Sequence, residues 1–285
     1  MTLHMITQDE VISQTARLPG FPRIICEILA TLDDPEANLN TLANHIALDP
    51  VIAARVLSLA NKASQRTRHL AAIRDIYTAT SLIGMGRVRE MALISSIGGF
   101  VNGMAAAAMP AAFWQHSVAV GVCSHELALY VAAPTSTDTA LIAGLLHDVG
   151  QLWLYCFYPE AFRASWSQAL THATGIEIAE REHFGVDHSQ IGTWLAEHWE
   201  LPLNIVAAIR HHHMPDAALD DALVPLVHIA EVLSNALDLT GRSENRVTSI
   251  SSAACTRLDI VWDEHVQALF GRMEARSRHA NAMFS

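Results

Sequence analysis

The chain has 285 residues, 51% of them apolar, and a formal net charge of −11 at pH 7. This length suffices for one or two domains with a full hydrophobic core. The excess of acidic residues argues against strong sequence-independent binding of nucleic acid or anionic lipid, because binding of either requires clustered Lys and Arg. The four cysteines lie far apart without a CxxC pair, which indicates neither a zinc knuckle nor a disulfide framework.

The chain carries no sign of targeting or membrane insertion. Its N-terminus lacks the basic start and apolar core of a signal peptide, and no continuous apolar run reaches the roughly 18 residues that cross a bilayer. We therefore expect a cytoplasmic protein with no membrane association. Arginines between Arg66 and Arg89 form a local basic excess, but a solvated helix face explains them better than a nucleic-acid surface.

Helical patterns fill the chain from residue 24 onward. In the first part, apolar spacing and caps predict short helices at 24–32, 39–48 with Asn40 or Thr41 as cap, 51–61 behind the Asp49-Pro50 start, 73–83, and 87–100 closed by Gly98 and Gly99. After Pro110 longer helices are predicted at 113–131, 139–148 with Asp138 as cap, 162–174, 176–184, 188–200, 203–212, 222–239 and 261–280. No alternating strand pattern occurs, so the sequence predicts an all-α protein.

The segment from Leu141 to Gly150 is an apolar helical run that ends in His147 and Asp148. The two side chains are about 100° apart around a helix, so both reach one metal ion only if it lies over the face between them. Gly150 then allows the backbone to turn away from the helix C-terminus. An alternative is a simple C-cap, in which His147 favours the helix dipole and Asp148 bonds locally. The dipeptide alone favours the C-cap.

Other histidines of the chain are candidate ligands for the same metal site. His116 lies on the preceding helix, where an antiparallel hairpin would make it overshoot the pair by roughly 9 Å, so the helices must cross at a tilt or fray early. His188 follows the Asp187 cap and can point inward. The run from His211 to His213 closes another helix, and only one or two of its rings can share a face.

Glu231 lies in an apolar helical stretch and needs a partner if it is buried. Several helices that each bear an inward imidazole, together with two carboxylates, are how helical bundles build internal metal sites. Mixed imidazole and carboxylate ligands suit iron, manganese or zinc, with one or two ions bound.

This order of motifs resembles the HDOD domain of the HD metal-dependent phosphohydrolase superfamily. The resemblance covers about residues 15–240 and rests on Leu18-Pro-Gly-Phe-Pro22, Asp49-Pro50 with Arg55, Leu57 and Asn61, Leu82-Ile-Gly84, Phe113-Trp-Gln-His116, Gly144-Leu-Leu-His-Asp-Val-Gly150, Asp187-His188, Trp199-Glu-Leu-Pro202 and His212-His-Met-Pro215. It implies an HD-type helical bundle at 111–240 behind an additional N-terminal helical subdomain at 15–110. Residues 1–14 would form an extension, and 241–285 a C-terminal loop and helix.

The related HD-GYP phosphodiesterases, which cleave cyclic di-GMP, imply a ligand set. By that resemblance His116, His147 and Asp148 hold one metal with Asp148 bridging, and His188, His212 and His213 hold the second. This chain departs from the HD-GYP pattern in three ways. Gln151 replaces a phosphate-contacting lysine, Glu231 stands near the expected last aspartate, and Met214-Pro215 replaces the Gly-Tyr-Pro signature.

Two functions therefore stay open. As a bacterial signal-transduction regulator, the usual role implied by the HDOD resemblance, the protein would bind a signalling partner protein, with metal as an internal support. As a phosphohydrolase, it would use the metal together with His147 and Asp148 on a small phosphoester or cyclic nucleotide. The weakened catalytic set places the regulator first. A nucleic-acid partner is the third and least favoured interpretation.

Overall fold

The computed structural model describes residues 5–32, 38–65, 73–104, 111–131, 135–239 and 249–282. Within these ranges every regular element is helical, which confirms the all-α prediction. The helices are α1 (Gln8–Thr15), α2 (Arg23–Leu32), α3 (Leu39–Ala47), α4 (Pro50–Gln65), α5 (Ile76–Ile83), α6 (Met85–Met104), α7 (Ala111–Tyr130), α8 (Thr137–Leu146), α9 (Val149–Phe157), α10 (Pro159–His172), α11 (Ile176–Phe184), α12 (His188–His198), α13 (Leu203–His211), a 3-10 turn (Pro215–Ala217), α14 (Leu223–Ala236), α15 (Ser252–Arg257) and α16 (Val266–Ala282).

The chain divides into two compact units, Phe21–Phe100 and a larger unit formed by Met1–Gly20 with Val101–Ser285. In the smaller unit, Asn61 on α4 donates to the carbonyl of Ile73 and accepts from its amide, at 2.9 and 2.8 Å. Arg55 donates to the hydroxyl of Ser95 on α6 at 2.9 Å. These side chains tie α4 to the segments that follow it.

In the larger unit, α7 packs against α8, α14 and α16, while α12 packs against α9, α13 and α1. Close contact between α7 and α8 depends on two glycines. A Cβ at Gly144 would lie 2.8 Å from the Cα of Gly121, so any side chain there would push the helices apart. With Gly121 opposite Gly144, position 116 falls opposite position 149. The overshoot of His116 expected from a simple hairpin therefore does not occur.

Several helices start at a side-chain cap, and two of these caps differ from prediction. The predicted Asp49 cap is confirmed, because its Oδ1 accepts from the Val51 amide at 2.9 Å. Helix α8 is capped by Ser136 instead of Asp138, since the Ser136 hydroxyl accepts from the Asp138 amide at 3.2 Å. Similarly, Asn38 caps α3 one turn before the predicted positions.

Two further predictions on helix extent were wrong. Helix α6 continues through Gly98 and Gly99 to Met104, because glycine in a helix interior is destabilising by only about 1 kcal/mol relative to alanine and does not by itself end the helix. Helix α9 has no counterpart in the predicted set. Its residues are buried on every side, around a fully buried Trp153, so it lacks the polar face that reveals a helix in sequence.

One stretch, Thr137–Phe157, is long and apolar enough to cross a membrane by length and composition, although no continuous apolar run was found in the sequence. It is 83% buried inside the larger unit and comprises two separate helices, α8 and α9. Burial of this degree is typical of a core element. The basic segment noted above begins at Arg66 and Arg68, which lie outside the described residues.

Candidate metal centre

His147 and Asp148 occupy the junction between α8 and α9. His147 caps the end of α8, and Asp148 takes the first position before α9. Gly150 does not turn the chain away, as the sequence suggested, but lies inside α9. A Cβ at this glycine would stand 2.0 Å from the carbonyl oxygen of His188, so glycine is required for α9 to touch α12.

Asp148 lies at the centre of a ring of imidazoles and is only 2% exposed. Its Oδ2 is 3.5 Å from Nε2 of His116 and 3.5 Å from Nε2 of His147. Its Oδ1 is 3.3 Å from Nε2 of His188 and 3.7 Å from Nε2 of His212. Each carboxylate oxygen therefore faces its own pair of imidazole nitrogens.

All seven residues predicted as metal ligands fall into two groups. Within each group, the possible ligand atoms lie within 4.8 Å of one another. The groups are Asp148 with His188, His212 and His213, and His116 with His147 and Glu231. The sequence left open which rings of the triple-histidine run face the centre. His212 and His213 belong to the first group, whereas His211 lies outside both.

Backbone hydrogen bonds orient two of the rings. Nδ1 of His147 donates to the carbonyl of Gly144, and Nδ1 of His212 donates to the carbonyl of Ile209, each at 2.8 Å. In a neutral ring this places the proton on Nδ1 and the lone pair on Nε2, the nitrogen that faces Asp148. This is the arrangement that metal-ligating histidines adopt.

Glu180 on α11 is a fully buried carboxylate that the sequence analysis missed. Its Oε2 accepts from Nδ1 of His188 at 2.6 Å and from the backbone amide of the same residue at 2.8 Å. A signal was present, because Glu180 stands four residues after Ile176 and four before Phe184, on the buried face of α11.

His228 on α14 is the second residue that was missed. Nδ1 of this buried ring donates to the backbone carbonyl of His212 at 2.7 Å, and its Nε2 accepts from the amide of Ser251 at 3.2 Å. Burial lowers the pKa of His228, which favours the neutral ring that this donor and acceptor pair requires. His228 thus joins His212, at the end of α13, to Ser251, at the start of α15.

The charged groups of the centre shift one another's pKa. Burial tends to raise the pKa of Asp148, but the neighbouring imidazoles, led by His147 and His188, outweigh it and hold this pKa below its usual range. Burial tends to lower the pKa of His188, yet Glu180 and Asp148 raise it to about 10. Burial and the neighbouring rings lower the pKa of His212 and of His213. The carboxylates of Glu180 and Asp148 therefore favour the protonated form of the His188 ring between them.

The donor set suits a divalent cation. Two ligands about 2.1 Å from one ion stand roughly 3.0–3.4 Å apart at octahedral or tetrahedral angles, close to the separations between Asp148 and the imidazoles. Oδ1 of Asp148, although buried and ionised, makes no hydrogen bond to any residue in the described ranges. An ionised buried oxygen of this kind is suited to a metal ion or a positive ring.

Comparisons with known proteins agree with this architecture. The chain matches the family model described as the HDOD domain over residues 18–215. An HDOD domain protein of unknown function from Geobacter sulfurreducens is similar in structure, with 25% identity, a TM-score of 0.69, and 93% of this chain and 87% of that chain covered.

Two more distant structures share the fold. A candidate signal transduction protein from Marinobacter aquaeolei is 22% identical with a TM-score of 0.74, over 99% of this chain and 62% of that chain. A candidate phosphohydrolase from Shewanella amazonensis is 23% identical with a TM-score of 0.65, over 96% and 95%.

Among curated proteins, an uncharacterised protein of Treponema pallidum is 24% identical over 203 residues, which are 70% of this chain but only 38% of that relative. The family match, in contrast, covers well over half of the chain and includes most of the residues gathered around Asp148. The chain therefore belongs to the HDOD domain family.

Proposed function

We propose that this protein is a bacterial signal-transduction regulator whose larger unit holds one or two divalent metal ions. The observation that carries the proposal is the position of Asp148, a buried carboxylate whose two oxygens each face a separate pair of imidazole nitrogens. A carboxylate in that position can bridge two ions.

The two groups of residues define the proposed ligands. His116, His147 and Glu231 would share one ion with Oδ2 of Asp148. The second ion would be held by Oδ1 of Asp148 together with His188, His212 and His213. Nitrogen-rich sites with carboxylate oxygens suit iron or manganese, and zinc is the alternative.

Membership of the HDOD family supports the regulatory role, and one structural neighbour bears the name of a candidate signal transduction protein. Position 151 also favours regulation over catalysis. Gln151 is neutral and 2% exposed, so no positive side chain follows the His147-Asp148 pair at the place where HD-GYP enzymes carry lysine. We propose that the output is binding of a signalling partner protein.

A phosphohydrolase is the second candidate, because the same carboxylate and imidazole arrangement could support hydrolysis of a small phosphoester. A divalent cation in such a site supplies Lewis acidity toward water and phosphoryl oxygens. The chain itself would contribute Asp148 as the group that aligns both ligand sets and His147 as a ring with a fixed tautomer. Glu180 would keep the His188 ring in place.

Metal content tests the proposal directly. We expect one to two equivalents of iron, manganese or zinc in untagged protein, measured by elemental analysis. Asp148→Asn, which keeps the side-chain size, should lose both ions, whereas His198→Asn, at an exposed position on α12, should lose none. Metal-free wild-type protein after both aerobic and anaerobic preparation would contradict the metal site.

The two functions separate in a second experiment. A regulator should retain its partner in pull-downs when His147→Ala has removed metal but the helical circular dichroism is unchanged. A phosphohydrolase should instead turn over a member of a phosphoester panel and lose that activity in the same variant. Metal-loaded protein that is inert on the whole panel would rule out the second candidate.

A further inference from the structure

A second polar site lies beside the proposed ligands. It is a cavity of about 290 Å³ between the start of α12 and the end of α13. Its lining includes Arg181, Asp187, Ser189, Gln190, Arg210 and His211. None of these residues belongs to the two metal-ligand groups, although Asp187, Ser189 and His211 adjoin ligands in sequence.

The wall of this cavity is basic in a protein whose net charge is −11. Arg181 forms an ion pair with Asp187, the single carboxylate among the lining residues, and this contact fixes its guanidinium at the cavity. Arg210 is exposed and makes no hydrogen bond or ion pair with any residue of the described ranges. Its donors are therefore available to an incoming anion.

Two neutral features add to the basic wall. The hydroxyl of Ser189 is buried, the residue is 5% exposed, and the hydroxyl finds no hydrogen-bond partner among the described residues. The cavity also meets the N-terminus of α12, an 11-residue helix whose dipole favours negative charge there. Asp187 accepts from the Gln190 amide at 2.8 Å and Glu180 accepts from the His188 amide at 2.8 Å, so two of the first-turn amides are already paired.

We propose that this cavity binds a small ligand that carries a phosphate monoester. Guanidinium groups form paired hydrogen bonds with phosphate oxygens, and the start of a helix favours negative charge. The volume lies just below the usual range of small-molecule pockets, which restricts the ligand to a phosphate with a compact organic remainder. This binding is independent of the metal ions of the proposed function.

The test is calorimetric titration of the full chain with ribose 5-phosphate, with ribose as the uncharged probe. We expect ribose 5-phosphate to bind and ribose not to bind. Arg210→Gln should weaken binding by roughly tenfold or more, because it removes a charge-assisted hydrogen bond. Arg210→Lys, which keeps the charge without the paired donors, should give an intermediate affinity.

Arg278→Gln serves as the matched control, since Arg278 is an exposed arginine on α16 whose side chain is 75% accessible. Each titration is repeated on chelator-treated protein. A loss of affinity in Arg210→Gln, with or without metal, supports the proposal. Equal affinity of Arg210→Gln and wild type in both preparations, or no binding by wild type, overturns it. Metal content is measured separately, so failure of the metal proposal would be recognised independently.

Discussion

Glu180 and His188 are joined inside the core by two hydrogen bonds to one carboxylate oxygen, from Nδ1 at 2.6 Å and from the backbone amide at 2.8 Å. The side chains of both residues are inaccessible to solvent. A carboxylate bound to the far side of an imidazole fixes the ring and raises the basicity of the nitrogen that faces the metal. Glu180 is thus a positioning residue for the proposed second ion.

Glu180→Gln should lower the affinity for that ion by about 10–100-fold, because glutamine keeps the size of the side chain but removes its charge. Manganese titration by calorimetry measures the effect. Glu180→Ala should also leave the His188 amide unpaired and reduce the free energy of unfolding by about 1–3 kcal/mol. His198→Gln, on the exposed part of α12, the helix that carries His188, is the control. Unchanged manganese affinity in Glu180→Gln would show that the carboxylate serves folding alone.

Gly150→Ala should strongly destabilise the larger unit. The new methyl group would stand 2.0 Å from the carbonyl of His188, so α9 and α12 would have to separate. Overpacking of this kind reduces the free energy of unfolding by about 1–3 kcal/mol or more. Urea denaturation followed by circular dichroism measures it.

Gly99→Ala provides the opposite case within a helix. A Cβ at Gly99 would meet nothing within 4 Å. This substitution should therefore stabilise the protein by about 0.5–1 kcal/mol, because alanine lowers the conformational entropy of the unfolded chain. If Gly150→Ala were as stable as Gly99→Ala, the result would contradict the close contact of α9 with α12 at Gly150.

The buried carboxylate of Glu126 on α7 should make stability depend on pH. Glu126 forms ion pairs with Arg272 and Arg276 of α16. Burial tends to raise the pKa of Glu126, but the hydrogen bonds from both arginines outweigh it and lower this pKa from 4.5. A carboxyl group whose folded pKa is depressed contributes stability above its unfolded pKa and loses it as the pH falls.

Glu126→Gln should therefore be less stable than wild type by about 1–2 kcal/mol at neutral pH, an amount limited by solvent around the arginines. The difference should shrink as the pH falls below about 4.5, toward the folded pKa. Urea denaturation at several pH values measures it. Glu274→Gln on α16 is the control, because its contact with Arg278 is 3.9 Å long and exposed. A difference that stays constant down to about pH 3 would refute the titration of Glu126.

His228→Leu should weaken both folding and metal binding. It removes the donor to the buried His212 carbonyl, at a cost of about 1–3 kcal/mol, and the acceptor of the half-buried Ser251 amide, at a smaller cost. Because His212 is a proposed ligand, manganese affinity should fall as well.

Ser251→Ala separates these effects. It removes the hydroxyl that caps α15 by accepting from the Ala254 amide at 3.1 Å, but keeps the backbone amide that meets His228. We expect a loss of about 1 kcal/mol in the free energy of unfolding and unchanged manganese affinity. Equal metal affinity in His228→Leu and Ser251→Ala would show that the hydrogen bond from His228 to His212 does not support metal binding.

The sequence predicted most helices from apolar spacing and caps, and it predicted α8, which is buried throughout, from its apolar helical run. The same reasoning failed for α9, whose burial on all sides around Trp153 erases periodicity. Ligand residue types were also recognisable, since an ordered set of histidines and carboxylates on several helices is rare. The position of His116 was not, because its height along α7 depends on the contact between Gly121 and Gly144 and not on the loop that joins the helices.

Tertiary structure was also needed for the relation between ligands. Nothing in the local sequence shows that Asp148 divides its two oxygens between imidazoles of α7 and of α12, because those helices meet only in the folded unit. Glu180 is an intermediate case. Its spacing from Ile176 and Phe184 places it on the buried face of α11, but its pairing with His188 depends on the packing of α11 against α12.

Asp148 stands where one helix ends and the next begins, and its oxygens face rings carried by different helices. Ions held on both oxygens would cross-link α7 and α8 to α12 and α13, so release of metal would remove one connection between those helices.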